Sequence, residues 1–186
     1  SAVMVIDAAK GVEPQTRKLF KVCAMRHIPI FTFINKMDRE ARSPYDLLEE
    51  LEKEFGIGTY PMNWPIGCGK EFKGVFDREK RHILSFEANN GQHEVKATEV
   101  DLHSPELDGL IGTENRNTLL EDVELLDGAS DAFDLKAVQE GRLSPVFFGS
   151  ALTNFGVEIF LKHFLKMTTS PLPRRAITRE ISPFTD

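Results

Sequence analysis

Asn35-Lys36-Met37-Asp38 combines residue types that together can read a purine base. Guanine presents two donors on one edge, N1–H and the exocyclic amine, and one carboxylate can accept from both. Adenine carries an acceptor at N1 and would set lone pair against lone pair. A buried group built to hydrogen-bond one base rejects an analogue that leaves it unpaired. Asp38 is therefore a candidate guanine selector. Asn35 can brace its loop or meet the purine edge, and Lys36 can lay its aliphatic stem over the ring with its ammonium in water. Gly149-Ser150-Ala151-Leu152 is the second such segment. Gly149 and Ala151 let backbone approach a ligand, the Ala151 N–H can donate to guanine O6, and the Ser150 hydroxyl can brace the Asp38 loop.

Each segment alone is also an ordinary loop or cap; Ser150 or Thr153 could cap a helix through Phe155. Position separates the two readings, because both segments directly follow apolar runs of buried-strand type. Ala2–Asp7 is such a run and is expected to be a strand buried on both faces. Pro14 opens a predicted helix to about Arg26. Residues 29–34 form a second predicted strand, and Ser43-Pro44 starts a helix that Gly56 stops. The alternation breaks near Thr59. Residues 72–77 and 82–86 are predicted antiparallel strands, Asn90-Gly91 a turn and 95–100 a further strand. Asn117 and Asp134 are predicted helix caps, the second helix ending at Gly141. Residues 144–149 restore the buried-strand pattern, a helix follows over 155–167, and 170–175 form an extended linker.

Alternation of this kind predicts an α/β fold, a parallel sheet with helices on both faces, interrupted by a small β-rich insert. The expected division is 1–64 for the nucleotide-binding domain, 65–116 for the insert, 117–169 for the return to the domain, and 170–186 for a linker. Ligands in such sheets bind beyond the carboxyl ends of the strands, where both segments lie. Ser1 opens directly onto an apolar strand, so the chain is expected to be a piece of a longer protein.

Composition narrows the function classes. The net charge is −6, and residues 94–140 carry 13 acidic against 3 basic side chains. That excludes a free-standing nucleic-acid binder held by bulk charge and argues against a DNA partner. No apolar run nears the roughly 20 residues of a membrane span, so no membrane partner is expected. Two cysteines, Cys23 and Cys68, make no disulfide framework and suit a reducing cytoplasm. The five histidines have no metal-ligand spacing. The Arg78–His82 turn and the acidic stretch read as solvated surface, and Trp64 as packing.

In order and spacing, Asp7–Thr16, Phe33–Arg39 and Gly149–Leu152 resemble translational GTPases. Asn63–Val75, containing Trp64-Pro65-Ile66-Gly67, is similar to the start of the insert in class II peptide chain release factors, the release factor 3 family. The resemblance covers residues 1 to about 175. It implies that Asn35, Lys36 and Asp38 bind the guanine base, with Ser150, Ala151 and Leu152 completing the pocket. It implies GTP and GDP as ligands with Mg²⁺, the ribosome and class I release factors as partners, and a role in recycling those factors. An elongation factor G-like or ribosome-protection GTPase is the alternative within the class. A non-catalytic ribosome-interaction module with a vestigial pocket is the alternative outside it. The chain departs from the family in lacking a Gly-x-x-x-x-Gly-Lys-Ser/Thr loop; Gly67–Lys70 has the wrong spacing and is followed by Glu71. The Asp-x-x-Gly element and first switch loop are absent too, and in the family they precede the opening strand. No catalytic residue or metal ligand is therefore assigned, and the chain by itself is expected not to hydrolyse GTP. A β-barrel would follow near Phe184.

Overall fold

The computed structural model describes residues 1–87, 96–129, 132–168, 174–175 and 180–181. Two four-stranded sheets share one core. The first holds β1 (Ala2–Asp7), β2 (Ile30–Asn35), β8 (Leu143–Phe148) and β3 (Gly58–Pro61), all parallel, in the order β1-β2-β8-β3. The second is the antiparallel meander β4 (Asn63–Ile66), β5 (Gly74–Asp77), β6 (His82–Glu87) and β7 (Lys96–Asp101). The helices are α1 (Pro14–Met25), α2 (Pro44–Phe55), α3 (Leu107–Ile111), α4 (Thr113–Ala129), α5 (Leu135–Gln139) and α6 (Val157–Met167). A two-residue pairing of β9 (Arg174–Arg175) with β10 (Glu180–Ile181) follows. The α/β prediction therefore holds, with a parallel sheet flanked by helices and a separate antiparallel sheet.

β2 and β8 are central, and their apolar runs are buried on both faces. Inside that apolar surround, Thr32 and Ser144 share a hydroxyl–hydroxyl bond of 2.8 Å, and Ser144 also donates to the Ile30 carbonyl. Buried polar groups persist only when paired, so this pair adds a specific cross-strand tie to the apolar packing. β1 departs from expectation. It lies at an end of the sheet order, and Val3 and Val5 are exposed while Ile6 is buried. The apolar run is the same for an edge strand as for a central one.

Other predicted elements shift in bounds. α2 follows Ser43, has Pro44 at its first position and is stopped by Gly56, which is left-handed. α5 carries the expected cap, the Asp134 carboxylate accepting from the Lys136 and Ala137 N–H groups. α4 starts at Thr113, so Asn117 lies inside it rather than at its cap. Gly112, at φ 84°, already separates it from α3. α6 begins at Val157, after a left-handed Gly156, rather than at Phe155. β3, on the far edge beside β8, falls where the alternation was expected to break. The Asn90-Gly91 turn, residues 170–173 and the region of Phe184 lie outside the described residues.

The two sheets meet at Asn63. Its side chain accepts the Phe148 N–H at 2.7 Å and donates to the Phe148 carbonyl at 3.0 Å, wholly buried. Trp64 next to it is core, as expected, packed between Tyr45 and Phe148. Arg78 is a correction. Expected at a solvated tip, it is nearly buried over the Tyr60 ring, donating to the Pro61 and Leu126 carbonyls. No helix among the described residues is long and apolar enough to cross a membrane.

Candidate nucleotide-base site

β2 and β8 run parallel in register, Ile34 opposite Phe148, so the loops that follow them emerge side by side. Three bonds join these loops. The Gly149 N–H donates to the Ile34 carbonyl (3.0 Å), the Met37 N–H to the Gly149 carbonyl (3.1 Å), and the Ala151 N–H to Asn35 Oδ1 (2.8 Å). The same Asn35 oxygen accepts the Lys36 N–H at 2.8 Å, where Lys36 adopts a left-handed φ of 73°. Met37, fully buried, anchors the loop from beneath.

Asp38 sits at the turn this builds. Its residue is half-buried, and its Oδ1 is sealed from solvent with no hydrogen-bond partner. A desolvated carboxylate oxygen without a donor is costly. A ligand edge carrying N–H groups is the chemistry that relieves it.

Four sequence expectations are refined here. The Ala151 N–H is occupied by Asn35 rather than free for a purine oxygen. The Lys36 ammonium is paired with Asp7 Oδ2 at 2.7 Å rather than left to water. Ser150 is fully buried, and its hydroxyl accepts the Thr153 N–H (3.4 Å), closing its own loop rather than bracing Asp38. Gly149 leaves no room for a ligand at its α-carbon; an added Cβ would strike the Phe155 carbonyl, so its smallness serves internal packing. That carbonyl accepts the Ser150 N–H while Ser150 accepts the Phe155 N–H, which pins the loop into a tight bridge. Ala151 and Leu152 are exposed on its crest.

Asp7 is a neighbour of the candidate site that sequence reasoning left unassigned. The signal was available: a carboxylate ending an apolar strand, opposite Asn35 in the parallel register. It also accepts the Ala9 and Lys10 N–H groups. The Lys36 ammonium, aided by these backbone donors and opposed by partial burial, holds its carboxyl below the usual range. Among the described residues no cluster of three or more His, Cys, Asp or Glu side chains is arranged to hold a metal.

In parallel α/β sheets ligands bind beyond the carboxyl ends of the strands, which is where these two polar loops lie. The chain belongs to the family described as the elongation factor Tu GTP binding domain, whose model matches residues 1–170. It is 51% identical over 184 residues to peptide chain release factor 3 of Symbiobacterium thermophilum, covering 98% of the chain and 35% of that relative. It is 52% identical to the proteins of the same name from Nostoc punctiforme and Trichodesmium erythraeum, in each case over 98% of the chain and 34% of the relative. The chain thus spans about a third of the length of the curated relatives it matches.

Proposed function

We propose that this chain forms the guanine-recognising part of a ribosome-associated GTPase that promotes recycling of class I release factors in translation termination. The observation that carries it is Asp38 Oδ1, buried and unpartnered beside a loop that Asn35 ties to Ala151. A guanine edge would place its two donors on the Asp38 carboxylate. Lys36, Ser150, Ala151 and Leu152 complete the pocket as flank, buried support and rim. The release-factor reading is favoured over the elongation factor G-like one because the relatives at 51–52% identity bear the name release factor 3. A cytoplasmic location, the ribosome as partner, and the treatment of 65–116 as an insert within the nucleotide-binding domain belong to the same proposal.

GTP or GDP fits this site through its base. The 186 residues hold no Gly-x-x-x-x-Gly-Lys-Ser/Thr pattern to cradle phosphates. Mg²⁺, which accompanies the nucleotide in the full-length GTPase, therefore receives no ligand from the residues described. The chain by itself is proposed to bind GTP weakly and not to turn it over, since phosphoryl transfer depends on phosphate cradling and metal.

The test uses a full-length protein carrying this chain, made by exchanging it for the matched 184 residues of the Nostoc punctiforme relative. Asp38→Asn turns one acceptor into a donor. GDP affinity should fall by about a hundredfold or more, and xanthosine diphosphate should bind better than it does to the unsubstituted protein. Unchanged GDP affinity in that variant refutes the base-selector role and favours a vestigial pocket.

A further inference from the structure

The tip of the antiparallel sheet does more than turn the chain. β4 and β5 are joined by residues 67–73, closed by the Lys73 N–H donating to the Ile66 carbonyl at 2.9 Å. This loop lies across both candidate base loops. On one side, the Gly69 N–H donates to the Met37 carbonyl at 2.9 Å. The Gly69 α-carbon also faces the Arg39–Glu40 backbone, where an added Cβ would make ordinary van der Waals contact at 3.6 Å. Met37 and Arg39 flank Asp38. On the other side Phe72, at the limit of full burial, packs its ring on Phe155 with centroids 5.5 Å apart. Phe155 is the residue that pins Ser150 through two backbone bonds.

The hairpin tip is tightly folded. A single 3₁₀ turn spans Gly69–Glu71, and Gly67 at φ 72° has the Glu71 carbonyl where a side chain would be. One seven-residue loop therefore contacts the Asp38 loop through a hydrogen bond and the β8 loop through a buried ring.

We infer that the Gly67–Phe72 hairpin tip is a positioning element for base recognition, with Phe72 and Gly69 setting the distance between the Asp38 loop and the Ser150 loop. The inference rests on the proposed base-recognition reading. It makes the antiparallel sheet a lever on nucleotide affinity: whatever holds or displaces β4–β5 alters the fit of the base, and base binding in turn restrains the tip.

The discriminating ligand pair is GDP and inosine diphosphate, which differ only by the exocyclic amine that Asp38 would accept from. In the full-length protein carrying this chain, Phe72→Ala should weaken GDP binding by about tenfold, equivalent to about 1.4 kcal/mol. It should also reduce the GDP-over-IDP preference several-fold, and Phe72→Leu should restore most of both. A variant that is merely destabilised would keep that preference, so an unchanged ratio in folded Phe72→Ala overturns the inference. If the unsubstituted protein shows no GDP-over-IDP preference, the base-recognition reading itself fails. Should Phe72→Ala not fold, the unsubstituted protein decides the matter. Cys68, exposed on the tip, should be alkylated more slowly by a small thiol reagent when GDP is bound, and the Gly69 amide should exchange more slowly. GDP-independent rates at both positions overturn the proposal.

Discussion

The Lys36 ammonium donates to the Asp7 carboxylate at 2.7 Å, tying the end of β1 to the loop that follows β2. Lys36 is constrained twice over, by this bond and by a left-handed backbone that an L-residue adopts reluctantly. Asp7 thus holds the side chain proposed to flank the base. The pair is modest in energy, because the Lys36 side chain is 45% exposed and water screens it.

Asp7→Asn should therefore cost GDP affinity in the full-length protein less than about tenfold, since a half-exposed ion pair is worth at most about 1 kcal/mol. The larger signature lies in acid. The Asp7 carboxyl is held below its ordinary value of 3.8 in the fold. Its contribution to stability is complete above the unfolded value and is lost as pH falls through the lowered folded one. Acid titration from pH 5 downward, followed by circular dichroism, should show the unsubstituted chain losing stability more steeply than Asp7→Asn. Parallel curves would mean that the bond is not maintained in solution.

Asp122 on α4 supports the other end of the structure. One of its oxygens accepts the Tyr45 hydroxyl (2.7 Å) and the other the Trp64 indole N–H (2.8 Å), so one carboxylate joins α2, α4 and β4. Burial, with this carboxylate beside it, pushes the Tyr45 hydroxyl well above its usual range. Asp122→Ala leaves two donors without acceptors in a part-buried place. The expected loss is ~2–4 kcal/mol in urea unfolding, against ~1 kcal/mol for Tyr45→Phe, which removes only one bond. Trp64 is the sole tryptophan of the chain, so its emission reports directly and should shift to the red in Asp122→Ala. Equal losses in the two variants would show that the indole bond contributes nothing.

What was legible in the sequence follows from which forces are local. β2 and β8 declare themselves because an unbroken apolar run is what a strand buried on both faces requires, and the candidate base loops follow from the residues just after them. β1 carries the same signal, yet its neighbours, not its residues, decide that Val3 and Val5 stay exposed. β3 was hidden because Gly58-Thr59-Tyr60-Pro61 is short and carries two residues unfavourable in strands, which an edge position tolerates. Arg78 reads as a charged turn residue. Only the fold brings the Tyr60 ring and two carbonyls to its guanidinium. The partners of Lys36, Ala151 and Ser150 were likewise invisible, since hydrogen bonds at the site depend on strand register and on backbone angles within the loops. Asn35, placed where it could brace the loop, does so, and in doing so takes the N–H that had been reserved for the base.

His163 supplies a test of the seam between α6 and the antiparallel sheet. It is nearly buried against the Phe147 ring, with Nε2 3.5 Å from Glu79 Oε2. Burial pulls its pKa below the ordinary 6.5. Asp77 and Glu79 oppose that shift, and Lys166 and Lys80 add to it. The folded state therefore resists protonation that the unfolded chain accepts. Stability is intact above the unfolded value and declines as pH drops below about 6.5 toward the lowered folded value. His163→Gln removes the titration while keeping a polar side chain near Glu79. Between pH 7.5 and 5.5 the urea midpoint of the unsubstituted chain should fall more than that of His163→Gln, with the two profiles converging on a constant offset at the alkaline end. An identical decline in both would show that His163 does not carry the acid sensitivity and that the α6 seam is indifferent to pH.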